Sequence, residues 1–372
     1  MLISCFNWYE ARLKPIREYL IEQGYKVTVL IADFDHIKKN RISNRYKECT
    51  YINVPKYRRN LSIQRIRSHW IFCKKCKDVI EKQKPDFLYC MVPPNKVAGY
   101  CADYKKKNSS IRLFIDVIDL WPESLPLGRM KEILAVTRWK KWRDDAIYIA
   151  DHIFTECDFY HNELKRVIDP SRISTLYLYK EQIEKEKKLV HEIIRKGKTD
   201  EVIRFAYLGS MNHIIDIDGI CRVIQLFVDS GKTCELHAIG DGESRKEFEK
   251  AVNDTGCCTY FYGTIFDEIE KIKILAPCDY AFNMMKKDVS VGLTIKSIDY
   301  LSYGLPLINN INGDTWKLIN EYNMGINDDG NLLISTFYEV SRGKVLECYQ
   351  NMFIKEAFMN RINKIFGDVI NV

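Results

Sequence analysis

The sequence predicts two α/β domains, each built on a doubly wound parallel sheet, and three observations predict it. Short apolar runs suited to strands alternate with helical patterns from end to end, which means parallel strands joined by right-handed crossovers. The order strand, glycine turn, helix recurs, as at Val202–Leu208 followed by Gly209-Ser210. A highly charged stretch from Glu181 to Lys198 has few apolar residues to bury and reads as a linker or exposed helix between domains. A chain of 372 residues has ample core for two domains, here 1–182 and 200–343.

In the first domain, Leu2–Phe6 reads as a strand and Pro15–Gln23 as a helix closed by Gly24. Lys26–Ala32 is the second strand. The acids Asp33 and Asp35 follow it, either as a polar loop or as a metal-binding pair. Tyr51–Val54 is a short strand. Ile63–Lys82 reads as one helix carrying Arg65, Arg67, Lys74, Lys75, Lys77, Trp70 and Phe72. It is either a solvated face with a packed stripe or a contact with an anionic membrane surface. Asp86–Met91 is a strand, Pro93-Pro94 opens a helix to Lys106, and Ile111–Ile118 is the next strand. Pro122 stops that strand, so Asp116, Asp119 and Glu123 gather at its carboxyl end, where open α/β sheets bind ligands. The alternative is that Asp119 and Glu123 only cap the following loop to Leu125. A helix over Trp139–Ala150 and a strand over His152–Thr155 repeat the pattern, and His161 reads as a helix-surface residue.

The second domain continues with strands at Cys234–Ile239, Tyr260–Thr264, Tyr280–Met284 and Leu305–Ile308, the last entered through the Gly304 turn. Between the last two, Thr294 is a plausible N-cap for a helix to Tyr303. Trp316–Tyr322 is a short helix and Met324–Ile326 the last strand. Lys344–Phe366 reads as one long final helix with Leu346, Tyr349, Phe353 and Ile362 near one stripe.

Composition narrows the function. The net charge of +7 is uneven: Met1–Lys180 holds 34 Lys+Arg against 21 Asp+Glu, a balance of +13, and the remainder carries −6. The first half is therefore expected to meet something anionic. Nucleic acid and the inner membrane surface both qualify, and no recognition motif supports nucleic acid. Thirteen cysteines scattered through apolar segments read as reduced and mostly buried, including Cys73 and Cys76 within a helical pattern. No run of about 18 apolar residues predicts a spanning helix, and the strand-like start leaves no room for a signal peptide, so a cytoplasmic protein is expected. The first strand lacks a Gly-x-Gly-x-x-Gly, there is no P-loop, and no cluster has metal-ligand spacing, so no metal or permanently bound cofactor is expected.

The stretch Asn283–Asn310 carries the most specific chemistry. Ser290-Val291-Gly292-Leu293 leads into the Thr294 helix start, where a glycine lets backbone N–H groups approach a ligand and the helix dipole favours an anion. Lys296 lies in the first turn and Asp299 three residues on, on the same face. An anion cradle, a lysine and a carboxylate suit a diphosphate joined to a ribose. The bland reading is a surface helix with ordinary charges.

This stretch resembles the donor-binding segment of GT-B glycosyltransferases, especially the family 4 retaining enzymes of bacterial capsular and exopolysaccharide assembly. That resemblance implies two Rossmann-like domains facing a cleft. Family members carry two glutamates eight residues apart before a Gly-x-Pro, and the second holds the nucleotide ribose. Asp299 stands five before Gly304, with Pro306 following, while the first glutamate's place is taken by Val291. Asp119-Leu-Trp-Pro-Glu-Ser124 resembles a segment of family members that act on undecaprenyl-linked acceptors, where it faces the reacting sugar. Asp119 is then the first catalytic candidate, with Asp116 and Glu123 behind it. The resemblance also places Gly209 and Ser210 at the donor diphosphate with Gly292, Leu293, Thr294 and Lys296, and returns the C-terminal helix 344–372 to the first domain. The basic residue that family members carry after the glycine turn is absent from Met211-Asn212-His213, and Lys296, Lys286 and Lys287 are the substitutes. It implies a nucleoside-diphosphate sugar donor, UDP-linked, and a lipid-linked saccharide acceptor, with peripheral membrane contact. A metal-binding Asp-x-Asp, as at Asp33 and Asp35, belongs to the other fold of sugar transferases, GT-A. Two readings share the architecture: a UDP-sugar 2-epimerase and a catalytically inactive partner subunit.

Overall fold

The computed structural model describes residues 1–6, 9–42, 45–59, 62–124, 133–198, 200–287, 289, 291–337 and 340–370, so Leu125 and Ser290 lie outside the described residues. The chain forms two units, Met1–Leu178 with Phe358–Val372, and Tyr179–Ala357.

The first unit contains β1 (Leu2–Ser4), α1 (Lys14–Glu22), β2 (Val29–Ala32), β3 (Cys49–Ile52), α2 (Ile63–Gln83), β4 (Phe87–Val92), α3 (Asn95–Lys107), β5 (Arg112–Val117), α4 (Leu134–Ile149), β6 (His152–Thr155), α5 (Asp158–Leu164) and β7 (Ile173–Thr175). Its seven strands run parallel in the order β3-β2-β1-β4-β5-β6-β7. All six residues of β4 are buried, as expected of a strand covered on both faces. α2 starts where the Ser62 hydroxyl accepts the Arg65 N–H at 3.2 Å, and it ends at Lys84 in a left-handed turn. Phe72, Cys73, Cys76 and Ile80 form its buried stripe, with Lys74 and Lys75 exposed. Cys73 and Cys76 are therefore core residues, and none of the thirteen cysteines is joined in a disulfide. The Asp-x-Asp pair organises the loop after β2. Asp33 accepts from the Val54 N–H and the Asn53 amide and pairs with Arg41, while one Asp35 oxygen takes the N–H groups of Ile37 and Lys38. Those contacts favour the loop reading over metal binding. Among the described residues no cluster of acids, histidines or cysteines is placed to hold a metal.

The second unit contains α6 (Glu184–Lys196), β8 (Ile203–Leu208), α7 (Ile217–Asp229), β9 (Cys234–Ile239), α8 (Arg245–Asn253), β10 (Cys258–Gly263), α9 (Glu268–Leu275), β11 (Tyr280–Asn283), α10 (Ile295–Ser302), β12 (Leu307–Asn309), α11 (Asp314–Tyr322), β13 (Gly325–Asn327) and α12 (Arg342–Met352). Its six strands are parallel in the order β10-β9-β8-β11-β12-β13. Of the two expectations for the charged stretch, linker or exposed helix, the helix is what forms: α6 buries Val190 and packs against α9. Its apolar residues are few but fall on one face.

The expected single final helix is two. After α12 the chain breaks at Phe353, and α13 runs over Lys355–Ile370. Phe353 is fully buried and its carbonyl accepts the Lys180 N–H at 2.8 Å, which draws that carbonyl out of the helical ladder. From Phe358 onward α13 belongs to the first unit, where Phe366 stands 5.3 Å from Phe114 and 5.7 Å from Phe154, ring to ring. Burying each such side chain contributes about 1.5–3 kcal/mol. Among the described residues no helix is long and apolar enough to cross a membrane.

Candidate functional site

In the second sheet the strand order reverses between β8 and β11. Connections leaving these neighbours diverge, opening a crevice at their carboxyl ends where ligands of such sheets bind. The turns after β8, β9 and β10 press together there. Gly209 donates to the Ile239 carbonyl at 3.0 Å, and Gly240 to that of Gly263 at 2.7 Å. Gly240 has φ +141°, and a Cβ on it would fall 1.9 Å from the Gly209 carbonyl oxygen, so no other residue fits. Ser210 beyond this turn is exposed.

α10 is fixed across the same edge. Its N-cap is Thr294, whose hydroxyl accepts the Ser297 N–H at 3.2 Å, as the sequence predicts. The same hydroxyl donates to Asn283 at the end of β11, at 2.8 Å. Asn283 bonds Asn309 and Asn309 bonds Asn327, at 2.8 and 2.9 Å, so one asparagine chain spans the ends of β11, β12 and β13. The Tyr300 hydroxyl accepts the Leu208 N–H at 2.6 Å and ties the helix to β8. Gly292 and Leu293 are buried. The Gly292 carbonyl accepts the Thr315 N–H at 3.1 Å, which ties the segment before α10 to the first turn of α11.

Lys296 reaches the glycine turn. Its Cδ lies 3.9 Å from where a Gly209 Cβ would stand, and its ammonium lies 4.8 Å from the centre of the Tyr207 ring. Among the described residues no carboxylate pairs with it. Burial lowers its pKa to about 8. A partly buried cation beside an N-capped helix start is suited to an anionic ligand. Lys286 and Lys287 are exposed.

Asp299 has a partner the sequence did not suggest. Its Oδ1 takes a 2.6 Å bond from Lys180, whose ammonium also pairs with Glu268 and lies 4.6 Å from the Tyr303 ring. Tyr303 donates to Glu268 at 2.6 Å, and Lys271 pairs with it at 2.5 Å. Burial alone would raise the Glu268 pKa, but Lys180, Lys271 and Tyr303 hold it down at about 2.

The first sheet reverses order between β1 and β4, and the three acidic candidates near its carboxyl edge have different surroundings. Asp116 is fully buried. Both its oxygens take 2.7 Å bonds from Arg12, whose guanidinium also reaches the Leu176 carbonyl, and Tyr89 donates to Asp116 as well. Such a carboxylate is a structural counterion. Glu123 takes both terminal nitrogens of buried Arg143 at 2.9 and 2.8 Å and pairs with Lys140. Asp119 is half-buried. Burial raises its pKa to about 6, against the pull of Arg65 and a hydrogen bond from Trp121. That value poises Asp119 for proton transfer near neutrality.

Lys180 and Glu268 beside Asp299, and Arg65 acting on Asp119, have no signature of their own in the sequence. The sequence marked Arg65 only as one of several cations on a basic helix. The rest come from segments that only the fold brings together.

No family model and no curated protein sequence matches the chain. Solved structures match its fold. HepE of Anabaena, crystallised with UDP, aligns over 99% of this chain and 98% of its own, with a TM-score of 0.65 at 10% identity. Sucrose-phosphate synthase from Thermosynechococcus elongatus aligns over 100% and 98%, at 0.70 and 13%. The lipopolysaccharide outer core galactosyltransferase WaaB aligns over 99% of both chains, at 0.61 and 16%. The two parallel-sheet α/β units are those of GT-B glycosyltransferase structures.

Proposed function

We propose that this protein is a glycosyltransferase that moves a hexose-type sugar from a UDP-linked donor to a lipid-linked saccharide acceptor in cell-surface polysaccharide synthesis, with retention at the anomeric carbon. The observation that carries the reading is Lys296, held against the Gly209 turn at the reversal point of the second sheet with no carboxylate partner among the described residues. In this reading the donor diphosphate lies on Lys296, on the Gly209-Ser210 turn and at the Gly292-Leu293-Thr294 helix start. Asp299 takes a ribose hydroxyl on Oδ2, its other oxygen being held by Lys180.

During transfer the bond from the anomeric carbon to the diphosphate oxygen breaks, the acceptor oxygen bonds to that carbon, and the hydroxyl's proton is lost to a carboxylate or to the departing diphosphate. Negative charge grows on the departing diphosphate, so Lys296 and the helix-start N–H groups stabilise the transition state more than the ground state. Asp119, ahead of the Arg143-paired Glu123, is the residue assigned to the acceptor hydroxyl or the developing positive sugar. The acceptor meets the basic first unit. Peripheral contact with the inner membrane surface is supported by α2, which exposes Ile63, Ile66 and Trp70 beside Arg67 and Lys74.

Calorimetric titration of the pure protein with UDP, GDP, ADP and their sugars tests the reading. UDP or a UDP-sugar is expected to bind at micromolar concentration and a labelled hexose to appear on a lipid-linked acceptor. Failure of every nucleotide to bind would sink it.

A further inference from the structure

The carboxylate assigned to the ribose is held by one lysine. Lys180 stands in the segment leading into α6, and both its backbone polar groups are tied to the end of α12. Its N–H donates to the Phe353 carbonyl at 2.8 Å, and its carbonyl accepts the Tyr349 hydroxyl at 2.7 Å. Its ammonium lies 4.6 Å from the centre of the Tyr303 ring. An ammonium has three protons to donate, and this one meets three acceptors: Asp299 Oδ1 at 2.6 Å, the Tyr303 hydroxyl at 3.3 Å, and Glu268. Lys180 is thus a fixed cation with no donor left over for a ligand phosphate.

The two acids that share it differ in what else holds them. Glu268 also pairs with Lys271 at 2.5 Å and accepts the Tyr303 hydroxyl at 2.6 Å, so it keeps partners without Lys180. Asp299 has Lys180 as its one side-chain partner among the described residues, and its Oδ2 accepts no hydrogen bond from them. Removing the ammonium would leave two carboxylates facing each other as like charges, with only Glu268 anchored. Asp299 would then turn away from Glu268 and lose its fixed direction.

We propose that Lys180 is a positioning residue for nucleotide recognition: by holding Asp299 Oδ1 it presents Oδ2 as a fixed acceptor for a ribose hydroxyl, and so sets the preference of the donor site for ribose over deoxyribose nucleotides. The inference rests on the glycosyltransferase reading and deepens it by naming what aligns the ribose contact. An ionised carboxylate only accepts hydrogen bonds, so its second oxygen selects a pentose hydroxyl over a hydrogen at the same carbon. A prearranged acceptor also spares the cost of freezing a side chain when the ligand binds. A nucleotide without the hydroxyl gains nothing from that arrangement.

Full-length protein titrated calorimetrically with UDP, 2′-deoxy-UDP and 3′-deoxy-UDP provides the test, using wild type, Lys180→Met, Asp299→Ala and the double variant. Wild type should bind UDP at least about tenfold tighter than one of the deoxy nucleotides, since one charge-assisted contact is worth roughly that factor. Lys180→Met should cut that preference below about threefold by weakening UDP, while affinity for that deoxy nucleotide stays within about twofold of wild type. In the Asp299→Ala background, adding Lys180→Met should change UDP affinity by less than about twofold, because Lys180 acts only through Asp299. Lys180→Gln, neutral but still polar, carries the same expectations if a thermal melt shows Lys180→Met to be unfolded. A hydroxyl preference that persists in the folded Lys180 variant overturns the proposal. So does a further loss of UDP affinity in the double variant, which makes Lys180 a direct ligand contact. UDP binding without any hydroxyl preference in wild type also overturns it, and leaves the diphosphate site at Lys296 standing. Failure of all three nucleotides to bind defeats the glycosyltransferase reading and this inference together.

Discussion

Replacing Lys296 by methionine separates the cost of holding a cation at the Gly209 turn from its use. In the free protein, burial lowers the Lys296 pKa from 10.5 to about 8. The sign follows directly: below pH 8 the folded state carries an ammonium that the unfolded chain solvates better, so the charge destabilises the fold there. The full shift corresponds to about 3 kcal/mol, and roughly half remains after allowing for the water that a half-buried side chain keeps. Methionine preserves the apolar stem but loses the contact over Tyr207, worth about 0.5–1 kcal/mol. The two nearly cancel, leaving the variant as stable as wild type or up to about 1 kcal/mol more so, a rise in melting temperature of roughly 0–4 °C. UDP binding should behave oppositely. Loss of one charge-assisted contact costs about 1.5–3 kcal/mol, or roughly 10- to 150-fold in Kd. Wild-type affinity should also fall with rising pH above about 8, approaching tenfold per unit, because each bound diphosphate must then bring a proton to Lys296. The variant should lack that slope. Calorimetry with UDP at pH 7, 8 and 9, beside thermal melts, reads all three quantities. A folded Lys296→Met protein that binds UDP as wild type does, with the same pH profile, refutes the assignment.

Three further outcomes are expected. Glu268→Gln should lower stability at neutral pH by about 3 kcal/mol. Its depressed pKa contributes fully above the unfolded value of 4.5 and is lost as pH falls through about 2, so the urea midpoints of variant and wild type should converge toward pH 2. Arg12→Met strands the Asp116 carboxylate in the core and should cost about 3–5 kcal/mol, whereas Arg12→Met with Asp116→Leu should recover much of it; equal urea midpoints for single and double variants would contradict this. Asp119→Asn should leave UDP affinity unchanged while slowing transfer, and wild-type transfer should decline below about pH 6 as the carboxylate takes up a proton. Transfer at the wild-type rate in the variant would move the catalytic group elsewhere.

Elements with a local signature are legible in the sequence. Cys234–Ile239 occurs as a strand with the expected bounds, and Thr294 caps α10 through a hydroxyl three residues from its partner. The end of α12 could not be read. Phe353 and Ile354 continue a helical stripe, and the break comes from the Lys180 N–H, far away in sequence. Likewise the sequence grouped Asp116 with Asp119, three residues apart, yet the fold buries Asp116 against Arg12, 104 residues away, and leaves Asp119 half-buried.

The sequence by itself determined the alternation of strands and helices, the glycine turns at strand ends, and the positions of Lys296 and Asp299 on one short helix. Those features depend on contacts within a few residues, where apolar period, caps and backbone freedom act. Only the tertiary structure decided which charges are paired: Asp299 with Lys180, Asp116 with Arg12, and Lys296 with no carboxylate among the described residues. In parallel sheets every strand pairing crosses a helix. The partners of a side chain at a strand end are therefore chosen by sheet order and register, which no local stretch of sequence contains.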